Sequence, residues 1–121
     1  MRILRLDDVP RRTIDANGST GFDVGALGIT ADASLVVVRL RPGGRIGRHP
    51  AAGRQLFVLV SGDARVAGAD GVPVDLAPGQ AAVWEPDEAH ETRTVGGLTA
   101  LVVEGDVDLG APGHHVDAGD V

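Results

Sequence analysis

Glycine and proline fall between short apolar runs along the whole of this chain, 18 glycines and 7 prolines in 121 residues, and a helical spacing of apolar residues is hard to find anywhere. Such punctuation predicts many short strands joined by tight turns. Residues 34–40 are rich in valine and leucine and stop at Pro42-Gly43-Gly44, a strand and its turn. Residues 55–60 are apolar at both parities and stop at Ser61-Gly62-Asp63, which predicts a strand buried on both faces. Residues 64–67 run into Gly68-Ala69-Asp70-Gly71, whose Asp-Gly pair favours a hairpin. Residues 72–76 return from it, with Pro73 placing the return at an edge or at a strand start. After the turn Ala77-Pro78-Gly79, residues 81–84 and 90–95 read as strands around Glu85-Pro86-Asp87-Glu88, and residues 98–104 as the last one. About seven or eight short strands without a credible helix predict an all-β fold, an antiparallel barrel or jelly roll.

A chain of this length closes one hydrophobic core. Residues 34–104 are expected to form the barrel. Residues 1–33, with short strands at Thr13-Ile14 and Phe22-Asp23-Val24, are expected to form an N-terminal arm that serves a dimer, and residues 105–121 a tail rich in Gly and Asp. His114-His115 in that tail reads as incidental. The absence of cysteine removes disulfides, thiolate metal sites and cysteine nucleophiles. With no lysine, a Schiff base is impossible. Seventeen acidic residues against eleven basic ones, and only two Phe and one Trp, argue against a nucleic-acid partner, which needs a basic surface and stacking platforms. No apolar run approaches a bilayer span, so no membrane partner is expected. Met1 to Asp8 alternates charged and apolar residues unlike a secretory leader, so a cytoplasmic location is expected.

One spacing stands out. Gly43 is followed by five residues and His49, one residue and Ala51, three residues and Gln55, then six residues and Gly62; Gly79 is followed eleven positions later by His90. Over residues 35–104 this resembles the two signature motifs of the cupin superfamily, in which a glycine precedes a His-x-His pair, a Glu and a glycine, and a later glycine precedes another His. The turns Arg41-Pro42-Gly43-Gly44 and Leu76-Ala77-Pro78-Gly79-Gln80 are similar to cupin turns. The resemblance implies a cupin-type β-barrel. In its metal-binding members, the three His and the Glu hold one divalent ion inside the barrel. His49 and His90 match that set, whereas Ala51 replaces the second His and Gln55 the Glu. Alanine offers no donor atom, and an amide oxygen is a weaker ligand than a carboxylate. The second motif departs as well, with Glu85, Asp87 and Thr94 where the family usually has Pro, Gly and Asn. Glu85 shares the parity of Val83. If that face lines the barrel, His49, His90, Gln55 and Glu85 form a reduced set for iron, manganese, nickel or zinc; otherwise the site holds no metal.

Phe57 and Leu59 share the parity of Gln55 and are expected to make the pocket wall apolar, the usual form of a small-molecule site. Arg39 and Arg41 share one parity, where they meet an anionic substrate or lie on a solvated face. Glu91 alternates with His90 and is expected to face away from it; Asp87 and Glu88 are expected in a solvated turn, and Trp84 on the outer face or at a subunit contact. His49 and His90 are the expected catalytic pair, as acid/base groups or as metal ligands. The resemblance implies isomerisation, cyclisation or dioxygenation chemistry. The alternatives are a module that binds or senses a small molecule without turnover, and a structural protein with a vestigial pocket. A homodimer is expected.

Overall fold

The computed structural model describes residues 1–109. Eleven strands follow in chain order: β1 (Arg2–Arg5), β2 (Arg12–Ile14), β3 (Phe22–Val24), β4 (Ile29–Leu40), β5 (Arg45–Pro50), β6 (Arg54–Gly62), β7 (Ala64–Ala67), β8 (Val74–Leu76), β9 (Gln80–Trp84), β10 (Ala89–Arg93) and β11 (Leu98–Leu109). Two 3₁₀ turns, Leu6–Asp8 and Ala16–Gly18, are the only helical pieces among the described residues, and none is long and apolar enough to cross a membrane. The fold is the expected all-β antiparallel jelly roll. A five-stranded sheet in the order β1-β9-β6-β11-β4 faces a four-stranded sheet in the order β5-β10-β7-β8, and β2 pairs with β3. The two large sheets are not joined by hydrogen bonds into a closed barrel.

Alternation decides what each sheet puts between the layers. Phe57 and Leu59 of β6, Ala82 and Trp84 of β9, and Leu98, Ala100 and Val102 of β11 meet Ala64 and Val66 of β7 and Leu76 of β8 in one buried cluster. Each large side chain buried there stabilises the fold by about 1.5–3 kcal/mol. The opposite parity of β6 and β9 builds a second cluster from Leu56, Ala81 and Val83, against which Leu4, Ile29, Val58 and Val103 pack. The expected burial of β6 on both faces holds for residues 55–59, whereas Val60 is exposed.

Several elements depart from the sequence expectation. Residues 45–50, to which the sequence reading assigns no strand, form β5, because β10 supplies the partners Arg45↔Arg93, Ile46↔Thr92, His49↔His90 and Pro50↔Ala89. β4 begins at Ile29 and β11 runs to Leu109, since the two pair without interruption from Leu98↔Leu40 to Leu109↔Ile29, across the boundaries expected at 33/34 and 104/105. Within the N-terminal segment, β1 adds to the edge of the five-stranded sheet beside β9 of the same chain. Pro73 precedes β8, so it removes no donor from the ladder.

At one end of the sandwich, the β6–β7 turn is locked to the β10–β11 turn. Gly62 has φ +88, and a Cβ there would collide with the carbonyl oxygen of Gly97. Next to it, the Asp63 carboxylate accepts hydrogen bonds from the amides of Val95 (2.9 Å) and Gly96 (2.7 Å), and Thr94 Oγ1 donates to the Asp63 carbonyl (2.8 Å). The two amides hold the Asp63 carboxyl below its ordinary range.

Candidate functional site

The other end of the sandwich holds a cavity of about 160 Å³ between the sheets. Val36 and Val38 come from β4, Ile46 and His49 from β5, Gln55 and Phe57 from β6, Trp84 from β9, His90 and Thr92 from β10, and Val102 and Glu104 from β11. The wall is thus mostly apolar, with its polar groups gathered where β5, β6, β10 and β11 meet.

His49 and His90 are direct cross-strand partners. The next inward pair is Ile46↔Thr92, so three steps on β5 match two on β10. This bulge lets Ile46 and His49, which differ in parity, line the same cavity. The two imidazole centroids lie 4.4 Å apart with planes tilted by 51°. His90 stacks on Trp84 at 4.4 Å and 29°, and Trp84 meets Phe57 edge-on at 6.0 Å. Each imidazole is oriented by its own strand: His49 Nδ1 lies 2.7 Å from the Gly47 carbonyl oxygen and His90 Nδ1 3.1 Å from that of Glu88. A carbonyl oxygen only accepts, so Nδ1 carries the hydrogen in both rings and the lone pair of the neutral form sits on Nε2. His90 is only 3% exposed, and burial pushes its pKa below the ordinary histidine value; the bond to Glu88 and the charge of Glu104 pull the other way without cancelling the effect. His49 is exposed at the rim.

Gln55 is buried in the cavity wall, and its Nε2 donates to Glu104 Oε2 at 2.7 Å. A carboxylate only accepts, which fixes the orientation of the amide. Glu104 is the residue that sequence reading passed over. It stands directly opposite Gln55 in the β6–β11 ladder and shares the inward parity of Ala100 and Val102, the one signal in the sequence that points to it. A glutamate at position 55 would face it across the ladder as a like charge, and Gln55 replaces that repulsion with a hydrogen bond.

The remaining expected site residues lie elsewhere. Glu85 does not line the cavity: its carboxylate accepts from Arg54 Nε (2.9 Å) and from Arg2 (3.2 Å), and Arg54 holds it below the ordinary glutamate range. Parity does not carry past the end of β9, where the chain enters a turn. Leu59 is buried deeper in the core, away from the cavity lining. Arg39 and Arg41 are exposed and outside the lining, because Val36 and Val38 take the inward parity of β4. Trp84, expected outside, is fully buried at the cavity wall, since it shares the inward parity of Ala82. Its indole N–H is buried without an acceptor among the described residues. Asp87 is exposed, whereas Glu88 is largely buried and tied to the amides of Ala69 (2.9 Å) and Glu85 (3.0 Å) and to the Met1 ammonium (3.1 Å). Burial raises the pKa of Glu88, and those donors more than offset it. Glu91 faces away from the cavity, 4.0 Å from Arg48. His114 and His115 lie outside the described residues.

These positions do not reproduce the family's four-ligand metal set. Ala51, at a family ligand position, is a buried methyl group. Glu85 is committed to two arginines, and one oxygen of Glu104 is committed to Gln55. Among the described residues no three His, Asp or Glu side chains are gathered as a metal would need. The arrangement instead presents two adjacent, oriented imidazoles and one carboxylate to a small apolar chamber.

Comparison with known proteins points to one family. The cupin domain family model matches residues 36–105. No curated protein matches the sequence. Among solved structures, a conserved protein of unknown function from Streptococcus pyogenes is 28% identical, with a TM-score of 0.55, over 62% of this chain and 66% of that one. A DMSP lyase structure is 24% identical with a TM-score of 0.56, over 68% of this chain and 46% of that one. This chain therefore spans just under two thirds of the first of these relatives and less than half of the second. An uncharacterised protein with a double-stranded β-helix domain from Klebsiella pneumoniae shares 22% identity and a TM-score of 0.57 over 92% of this chain and 98% of that one. The family model covers more than half of the chain, both histidines included, and the chain belongs to the cupin domain family.

Proposed function

We propose that the cavity is a small-molecule site without a three-ligand metal centre, in which His49 and His90 move a proton on a bound substrate, a reaction of the isomerase or cyclase type. The observation that carries this reading is the paired imidazoles, each with Nδ1–H tied to its own strand and Nε2 unpartnered. His90 is kept neutral by burial and takes a proton at Nε2; the Glu88 carbonyl and the Glu104 charge stabilise the imidazolium that forms. His49, close to it and exposed at the rim, returns a proton and re-equilibrates with solvent. The net proton count is unchanged, as an isomerisation requires.

The buried methyl of Ala51, where metal-binding relatives carry a histidine, favours a second reading: reversible binding without turnover. One experiment separates the two. The chain is incubated in D₂O with a panel of small polar molecules, while melting temperature reports binding and NMR reports exchange of substrate C–H for deuterium. Exchange in a molecule that raises the melting temperature, abolished in His90→Phe, supports proton transfer. A raised melting temperature without exchange supports the binding module. For the metal, dialysis against a strong chelator is expected to leave the melting temperature unchanged. Near-stoichiometric iron, manganese, nickel or zinc in the native chain, absent from a His49→Ala, His90→Ala double variant, would overturn the reading.

A further inference from the structure

The polar groups of the cavity are unequally divided between donors and acceptors. Both imidazoles have committed Nδ1–H to backbone carbonyls, and the Gln55 amide has committed an N–H to Glu104. What remains uncommitted is Nε2 of each histidine, the second carboxylate oxygen of Glu104 and the carbonyl oxygen of Gln55, all acceptors. Against them stand one N–H of Gln55, the indole N–H of Trp84, and the Thr92 hydroxyl, which serves either role. The single full charge on the wall is the Glu104 carboxylate.

We propose that this cavity selects a compact organic ammonium, with Glu104 as the residue that reads its charge and the two Nε2 atoms and Gln55 as acceptors for its N–H groups. The proposal rests on the small-molecule reading above and names the ligand class. An anion would face the Glu104 carboxylate across a small chamber, and a neutral apolar molecule would displace water from the uncommitted acceptors without pairing them. Volume sets the size. A chamber of about 160 Å³ lies below the roughly 300–1,000 Å³ of drug-sized sites and equals about five water molecules of liquid. The ligand, or the part of it that enters, is therefore a fragment of only a few non-hydrogen atoms.

The chain carries its own probe, because Trp84 is its only tryptophan, it has no tyrosine, and Trp84 stacks on His90. Ethanolammonium, ethylene glycol and glycolate, similar in size and different in charge, are titrated into the native chain while Trp84 fluorescence is followed. Ethanolammonium is expected to bind about tenfold more tightly than ethylene glycol, with glycolate weakest, since a charge-assisted hydrogen bond is roughly twice as strong as a neutral one. In Glu104→Gln the preference for ethanolammonium over the glycol is expected to fall to within about twofold. Glycolate equal to or tighter than ethanolammonium, or a preference that survives in Glu104→Gln, overturns the ammonium inference and leaves the small-molecule reading standing. Silence from all three probes overturns both. If Glu104→Gln does not fold, the order of the three probes on the native chain decides the matter alone.

Discussion

At one end of the sandwich, Asp63 is saturated: both carboxylate oxygens accept from the amides of the β10–β11 turn, and the Thr94 hydroxyl closes onto its carbonyl. At the other end, His49 and His90 each make one side-chain hydrogen bond to the backbone two residues before them, Gln55 and Glu104 make one to each other, and each leaves an acceptor over. The same strands reach both ends. β6 carries Gln55 at its start and runs into Asp63, and β11 carries Leu98 at the locked end and Glu104 at the open one. Polar groups whose hydrogen bonds are all made within the chain hold turns together, whereas polar groups with acceptors left over at a cavity hold something else. This contrast between the ends, rather than any single residue, is what supports the proposal of a site at the histidine end.

The contrast is broken most forcefully at the locked end. Gly62→Ala is expected to destabilise the fold by on the order of 3 kcal/mol, from positive φ and the collision with Gly97, without altering the Trp84 response to ligand while the protein is folded. Urea unfolding and the fluorescence titration together check this, and a lost response with unchanged stability would reverse the assignment of the two ends.

Acidification sharpens the comparison at the open end. The pKa of His90 is lowered in the fold, so below its ordinary value of 6.5 the unfolded chain binds the proton more readily than the native one. Stability is full above that value and falls as pH drops toward the folded pKa, with a slope of at most about 1.4 kcal/mol per pH unit for one proton. His90→Phe preserves a ring against Trp84 and is expected to remove this slope. Melting curves of both proteins between pH 7.5 and 5, subtracted from one another, isolate the contribution; parallel curves would refute it.

The smallest effect belongs to the exposed ion pairs outside the cavity. Glu85→Ala loses its bonds to Arg2 and Arg54, which lie in partly exposed surroundings, and is expected to cost less than about 1 kcal/mol. Ligand response and metal content stay the same. A change in either would return Glu85 to the site.

The strands around the motif glycines and the inward set of β6 were legible, because period-two alternation and turn chemistry act over a few residues. β5 was not. Its sequence, with a glycine and a terminal proline, has little strand preference of its own and is a strand because β10 pairs with it. Glu85 and Glu88 both depart from their expected places for a similar reason: one meets arginines from β1 and β6, the other the Met1 ammonium and the amide of Ala69, and these contacts span the chain. Trp84 was misplaced because an isolated short strand does not say which of its faces the second sheet will cover.

By itself, the sequence determined the all-β class and the positions of the principal turns, which follow from local backbone preference and residue periodicity, while the grouping of His49 with His90 came from the resemblance of their spacing to the cupin motifs. Only the tertiary structure decided which carboxylate enters the cavity, because that depends on the register of β11 against β6, which brings Glu104 opposite a residue 49 positions earlier in the chain. Only it decided that Ile46 and His49, of opposite parity, line the same chamber, because a bulge in β5 resets a parity that no count along the chain would reveal.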